Sequence, residues 1–166
     1  MDSIDYAVPT VNAHLDLTGG ELLMAILRLH KALCKKQLDL TRLNMLAFMA
    51  EGECGISSDI TFTTTKFGPK SAFIGDFIHH NREIFHVRKT GGAITKFPDP
   101  DLRIKISLTE AGDHFSSRVI NFLTVGKLRS LSHVISKWGD EAARELLTYI
   151  CVFHDGFCPE SIIDQH

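Results

Sequence analysis

Hydrophobic positions recur at spacings of three and four over most of the chain and at spacing two in a few short stretches. Leu22, Leu23, Ile26, Leu27 and Leu29 follow a Thr18-Gly-Gly-Glu21 capping-box pattern, and Arg28, Lys31, Lys35 and Lys36 collect toward the far end. An apolar row with cations in its last turn predicts a helix over 19–37. A second helix is predicted over 41–51, where Leu43, Leu46, Ala47 and Phe48 form the apolar face and Gly52 stops it. Residues 52–59 are rich in turn formers. Ile60-Thr-Phe-Thr-Thr-Thr65 alternates and is β-branched, so it predicts a strand or extended segment. Phe67-Gly-Pro-Lys-Ser71 breaks that run. Proline is favourable just inside a helix start, and Ala72, Phe73, Phe77 and Ile78 supply the apolar face of a helix over 69–82.

Strands are predicted at 84–88, 93–97 and 103–107. Gly91-Gly92 is a tight hairpin turn between the first two, and Pro98-Asp-Pro-Asp101 a second turn. Leu108-Thr-Glu-Ala-Gly112 closes the β region and opens a helix over 109–124, whose apolar positions Phe115, Val119, Ile120 and Leu123 are expected in the core. Further helical spacing runs over 127–138 and 140–154, the latter ended by Gly156 and Pro159. The predicted fold is mainly α with a small antiparallel β-wing, an α+β arrangement. It divides into an N-terminal arm over 1–17, a winged helix-turn-helix over 18–112, and a helical extension over 113–166. In that extension the surplus apolar faces suit a homodimer contact.

A resemblance supports this layout. Asp39-Leu-Thr-Arg-Leu-Asn-Met-Leu-Ala-Phe-Met49, Phe62, Lys66-Phe-Gly-Pro-Lys-Ser71, Leu108-Thr-Glu-Ala-Gly112 and Leu146–Glu160 are similar to a group of prokaryotic winged-helix proteins. That group shows an R-L-x-K-L-x-F-L helix, a Y/F-G-P-x-S turn, an L-T-E-x-G closure and an L-L-x-Y-V-Y-x-x-Y-P-E stretch. The lysine of its helix motif is Met45 here, and Cys151, Val152 and His154 alter its last motif. The resemblance implies a regulator or an antitoxin-type protein.

Charge sharpens the expectation. The net charge is −2, yet residues 1–27 carry four acids and no base, residues 28–137 carry seventeen bases against ten acids, and residues 138–166 carry one base and six acids. A basic middle suits an anionic partner. In the winged-helix reading, 69–82 is the reader of a DNA groove, with Lys70 and Arg82 flanking it and Ser71, His79, His80 and Asn81 reaching base edges or phosphates. Arg88, Lys89, Lys96, Arg103 and Lys105 decorate the wing. The acidic ends, and Asp76 in mid-helix, favour the alternative of a protein-interaction module such as an antitoxin, adaptor or inhibitor of a host protein.

Other chemistry finds little support in the spacing. Cys151-x2-His154-x3-Cys158 has zinc-type residues but no evident fourth ligand. His79 and His80 point to different sides of a helix. No nucleophile, base and stabiliser converge, and no phosphate-cradling glycine loop precedes a helix, so neither catalysis nor a cofactor is expected. Hydrophobic residues at 44% and charged residues at 23% exclude a wholly disordered chain. No apolar run approaches the ~18 residues of a membrane span. Met1-Asp-Ser-Ile-Asp5 is acidic, unlike a secretory signal. Four cysteines in 166 residues do not make a disulfide scaffold, so reduced thiols in a cytoplasm are expected.

Overall fold

The computed structural model describes residues 15–91 and 97–154. The chain is mainly helical with two small antiparallel sheets. In order it forms α1 (Gly19–Leu33), β1 (Leu38–Asp39), α2 (Leu40–Gly52), β2 (Thr63–Thr65), β3 (Gly68–Lys70), α3 (Ala72–His80), β4 (Phe85–Lys89), a 3-10 turn (Pro100–Arg103), β5 (Ile104–Leu108), α4 (Glu110–Val119), a second 3-10 turn (Ile120–Phe122), α5 (Val125–Trp138) and α6 (Ala143–Phe153). Among the described residues no helix is long and apolar enough to cross a membrane.

α2 is the centre. Every residue from Thr41 to Ala50 is buried, the signature of a helix surrounded on all sides rather than one laid on a surface. Asp39 caps it by accepting from the Arg42 N–H at 2.8 Å. α1 starts with the expected capping box: the Glu21 N–H donates to Thr18 Oγ1 at 3.2 Å, and the Thr18 N–H donates to Glu21 Oε1 at 2.8 Å. The two glycines of its first turn are there for space. A Cβ on Gly19 would lie 2.4 Å from the Phe73 ring, and one on Gly20 would lie 2.3 Å from Phe77. α3 therefore rests directly on the start of α1.

The three-stranded sheet has order β1-β5-β4, with Leu38 opposite Ile106 and Phe85 opposite Leu108. Alternation puts Phe85, Val87, Ile104, Ile106 and Leu108 on one face and His86, Arg88, Lys105 and Ser107 on the other. β2 and β3 form a separate hairpin.

Several boundaries differ from the expectation. α1 ends at Leu33, not at residue 37, because Asp140 takes up the Lys35 and Lys36 N–H groups that a longer helix would have used. Pro69 lies in β3 and not in a helix. It pairs with Thr64, and the left-handed Gly68 (φ 103°) makes the turn that folds β3 back on β2. The helix begins only after Ser71. β4 takes β5 as its partner, and the Thr90 N–H donates to the Arg103 carbonyl at 2.8 Å; the turn expected at Gly91-Gly92 falls partly outside the described residues. The strand expected at 93–97 lies outside the described residues except for Phe97, which sits in a bend. Phe115, expected in the core, is 46% exposed.

The core does not divide at residue 112. Leu131, Val134, Ile135, Leu146, Leu147 and Ile150 are buried in the same cluster as Leu22, Ile26, Leu46 and Phe85. The apolar faces of α5 and α6 close over α1 and α2. Each such side chain contributes roughly 1.5–3 kcal/mol by leaving water, so these helices are structural parts of one core.

Candidate nucleic-acid interface

The residues expected to meet DNA separate into three groups. The first is spent inside the protein. Lys70 donates to Asp99 at 2.9 Å and to Asp101 at 2.7 Å. The Asp99 side chain is fully buried and also accepts from Thr41 Oγ1 at 2.7 Å. This network fastens the segment that leads into β5 to α2, as a buried carboxylate must be paired. Ser71 is buried, and its N–H donates to Asn44 Oδ1 at 2.8 Å. Asn81 ends α3 by donating to the Phe77 carbonyl. Neither Lys70 nor Ser71 presents a group to an outside partner. Arg103 is half-buried, and its carbonyl accepts from Thr90.

The second group is the exposed face of α3. Ala72, Asp76, His79 and His80 face solvent, at the spacing of one helical stripe. His80 Nδ1 lies 2.7 Å from the Asp76 carbonyl. The stripe carries a carboxylate and no lysine or arginine. Arg82 stands just beyond it, exposed, at a shallow cleft formed with Leu40, Gly75, Ile78, Val87 and Ile104.

The third group is cationic and larger than expected. The polar face of β4 and β5 looks across a pocket of about 330 Å³ toward the end of α1. Lys31, Lys35 and Lys36 line it from α1 and the turn that follows, and Arg88, Lys105 and His86 line it from the strands. No aspartate or glutamate lines it. Among the described residues only Lys31 of this set pairs its charged side-chain group with a carboxylate, Asp113 at 2.8 Å; Lys35 and Lys36 meet Asp140 through their backbone N–H groups. Arg88 instead donates to Gln37 Oε1. Charge of one sign in a concave, partly apolar site focuses potential and raises local anion concentration. Lys89 is exposed at the end of β4, and Lys96 lies outside the described residues.

A buried ion pair sets the geometry of this pocket. Arg42 Nε donates to Asp39 at 2.7 Å, with side chains only 6% and 3% exposed. Its Nη1 reaches the Gly139 carbonyl at 2.7 Å, and its Nη2 donates to the Gln37 carbonyl. One guanidinium thus ties β1, the turn after α1 and the α5–α6 turn together, a use suited to its five fixed donors. His30, also buried, lies with Nε2 3.1 Å from the Gly139 carbonyl. Burial pushes its pKa down, so the ring is neutral at pH 7. Burial pushes the Cys34 thiol up to about 11, so that sulfur is a protonated thiol and not a nucleophile. Against the cost of burial, the Lys35 and Lys36 N–H groups hold the Asp140 carboxyl below its ordinary range.

The chain matches no protein-family model, no curated protein and no solved structure.

Two residues of the zinc-type pattern, Cys151 and His154, are half-buried. The His154 ring sits edge-on to Phe48 with centroids 5.3 Å apart, which is a packing role. Cys158 lies outside the described residues. His79 and His80, expected on different sides of the helix, are both exposed, and their rings lie 5.4 Å apart, edge to face. Sequence reasoning missed that Lys31, Lys35 and Lys36 share a pocket with the cations of β4 and β5. Their only signal was a run of cations at the end of a helix, which reads equally as favourable helix-dipole chemistry.

Proposed function

We propose that this chain is a winged helix-turn-helix protein that binds duplex DNA through its phosphates and acts as a transcriptional regulator. The element order α1-β1-α2-β2-β3-α3-β4-β5, in which the β2–β3 hairpin is an insertion between α2 and α3, and the sheet order β1-β5-β4 support the winged-helix reading, with the β4–β5 connection as the wing. The observation that carries the DNA reading is the acid-free pocket edged by Lys35, Lys36, Arg88 and Lys105. A phosphate backbone is the extended polyanion that such a surface fits. In this account the sheet's polar face and the end of α1 neutralise phosphates, and α3 contributes shape more than base readout. The same reading takes the protein as a homodimer, with Phe115, Phe122 and Val125, all exposed, as its contact.

The test is a salt series with random-sequence duplex. Log affinity should fall linearly with log salt. Replacing Lys35, Lys36, Arg88 and Lys105 with alanine together should lower that slope by up to about four units, at about 0.9 per phosphate lost. A wild-type protein with no salt-dependent binding at low ionic strength would overturn the reading.

One observation favours a second reading, a protein-interaction module of antitoxin or adaptor type. The exposed stripe of α3 carries Asp76 and no cation, beside a cleft lined by Leu40, Ile78, Val87 and Ile104. A half-apolar surface of that kind suits a protein partner better than a phosphate backbone.

A further inference from the structure

The last turn of α1 and the turn between α5 and α6 bring three metal-binding side-chain types together. A ring nitrogen of His30, Sγ of Cys34 and a carboxylate oxygen of Asp140 all lie within 4.8 Å of one another. His30 lies in the last turn of α1 and Cys34 caps it, the Cys34 N–H donating to the His30 carbonyl, so the helix end brings the two residues together. Asp140 reaches them from the opposite wall and is held there by the Lys35 and Lys36 N–H groups at 3.0 and 2.8 Å. The turn that carries it approaches closely because residue 139 is glycine: a Cβ there would stand 2.4 Å from Cys34 Sγ and 3.0 Å from the His30 ring.

We propose that His30, Cys34 and Asp140 form a zinc site with its fourth coordination position open to the basic pocket. Imidazole, thiolate and carboxylate are the ligand types zinc takes, and three protein ligands with one open position is an established arrangement for it. The Arg42 guanidinium and the His30 ring both meet the Gly139 carbonyl, so the shell behind the ligands is already fixed, as metal sites require. The Asp140 carboxylate and the Cys34 thiolate together offset the charge of the ion, and because only Cys34 gives up a proton as zinc enters, binding raises the charge of this neighbourhood by one. The ion takes the place of the Cys34 proton, which leaves to solvent. Coordination removes that proton despite the burial that otherwise keeps the thiol protonated. His30 and Cys34 also line the basic pocket, so an anionic ligand entering the pocket would meet the open position.

The test uses the full chain, stripped by chelator and titrated with Co2+ and then Zn2+, with no nucleic acid present. Cobalt should bind at one per chain. It should give the visible absorption of a tetrahedral site and a near-ultraviolet thiolate-to-metal band, and zinc should displace both. Cys34→Ser should abolish the thiolate band, and Cys151→Ser should leave it intact. Asp140→Asn keeps an acceptor for the Lys35 and Lys36 N–H groups, so it preserves the helix end. It should weaken zinc by roughly a hundredfold or more, since even outer-sphere partners are worth 10–100-fold. Circular dichroism on each variant separates ligand loss from unfolding. A wild-type chain with no thiolate band, a band that survives Cys34→Ser in folded protein, or unchanged zinc affinity in Asp140→Asn would overturn the site. None of these outcomes bears on whether the pocket binds DNA.

Discussion

The two ends of α1 face different worlds. At its start, Gly19 and Gly20 let Phe73 and Phe77 of α3 settle on the backbone. The segment before it is clamped by Asp16, which accepts from the Ser57 N–H at 2.9 Å and from Lys127 at 2.7 Å. Acids there are paired, and the neighbouring α3 stripe carries no lysine or arginine. At its end, Lys31, Lys35 and Lys36 stand opposite Arg88 and Lys105 with no acid lining the space between. The difference teaches that a helix's place in the element order does not say which surface meets a partner. In the proposed winged-helix reading α3 holds the reader position, yet the pocket lined by cations and by no acid lies at the other end of α1.

The largest expected effect comes from the pair that holds the cationic end together. Arg42→Ala leaves Asp39 buried without its partner, and breaking such a pair costs about 3–5 kcal/mol. The urea midpoint should fall accordingly. Any folded Arg42→Ala protein should also lose salt-dependent duplex binding, while α3 keeps its packing on Gly19 and Gly20. Retention of full binding in that variant would break the link between the ion pair and the pocket.

Next is a direct contest between the two surfaces. Lys35→Ala with Lys36→Ala should weaken duplex binding about thirtyfold in 0.15 M salt, the loss of two phosphate contacts. His79→Ala with His80→Ala should change it far less, and Asp76→Ala should leave it equal or tighter. If the histidine pair proves the more damaging, the comparison inverts and α3 is the contact surface.

Acid should loosen both ends through different carboxylates. The hydrogen bond from Lys127, with that from the Ser57 N–H, holds the Asp16 carboxyl below its ordinary 3.8. The unfolded chain therefore binds this proton at higher pH than the folded one. The stability Asp16 contributes is present above about 3.8 and is lost as pH falls through its lower folded value. Amide exchange measured by NMR should show Asp16→Ala, which removes the acceptor, exposing the Ser57 amide at neutral pH, while the Lys36 amide, bonded to Asp140 at 2.8 Å, stays protected. Simultaneous loss of both would show that the two ends open as one unit.

The smallest effect belongs to the exposed pair Lys31–Asp113, with side chains 68% and 35% exposed. Asp113→Asn should change stability by less than about 1 kcal/mol. It frees Lys31 for phosphate, so the salt slope should steepen by up to about one unit. An unchanged slope would remove Lys31 from the interface.

Local chemistry alone determined much of this protein. The Thr18–Glu21 capping box, the stop at Gly52, the opening of α4 at Thr109 and the strands near 84–88 and 103–107 are legible because each depends on neighbours within a few residues. So is a mainly α fold with a small antiparallel sheet. What spacing could not say is what lies across the core. Lys70 and Ser71 read as groups at a helix start free to meet DNA; Asp99, twenty-nine residues away from Lys70, and Asn44 claim them instead. Phe115 fits an apolar stripe, yet it is nearly half exposed. Lys35 and Lys36 face Arg88 and Lys105 only because a two-residue strand after α1 joins the edge of β5. Asp140 closes on His30 and Cys34 more than a hundred residues away only because Gly139 leaves room. Long-range pairing is set by packing of the whole chain, and no local pattern encodes which polar group a buried carboxylate will find.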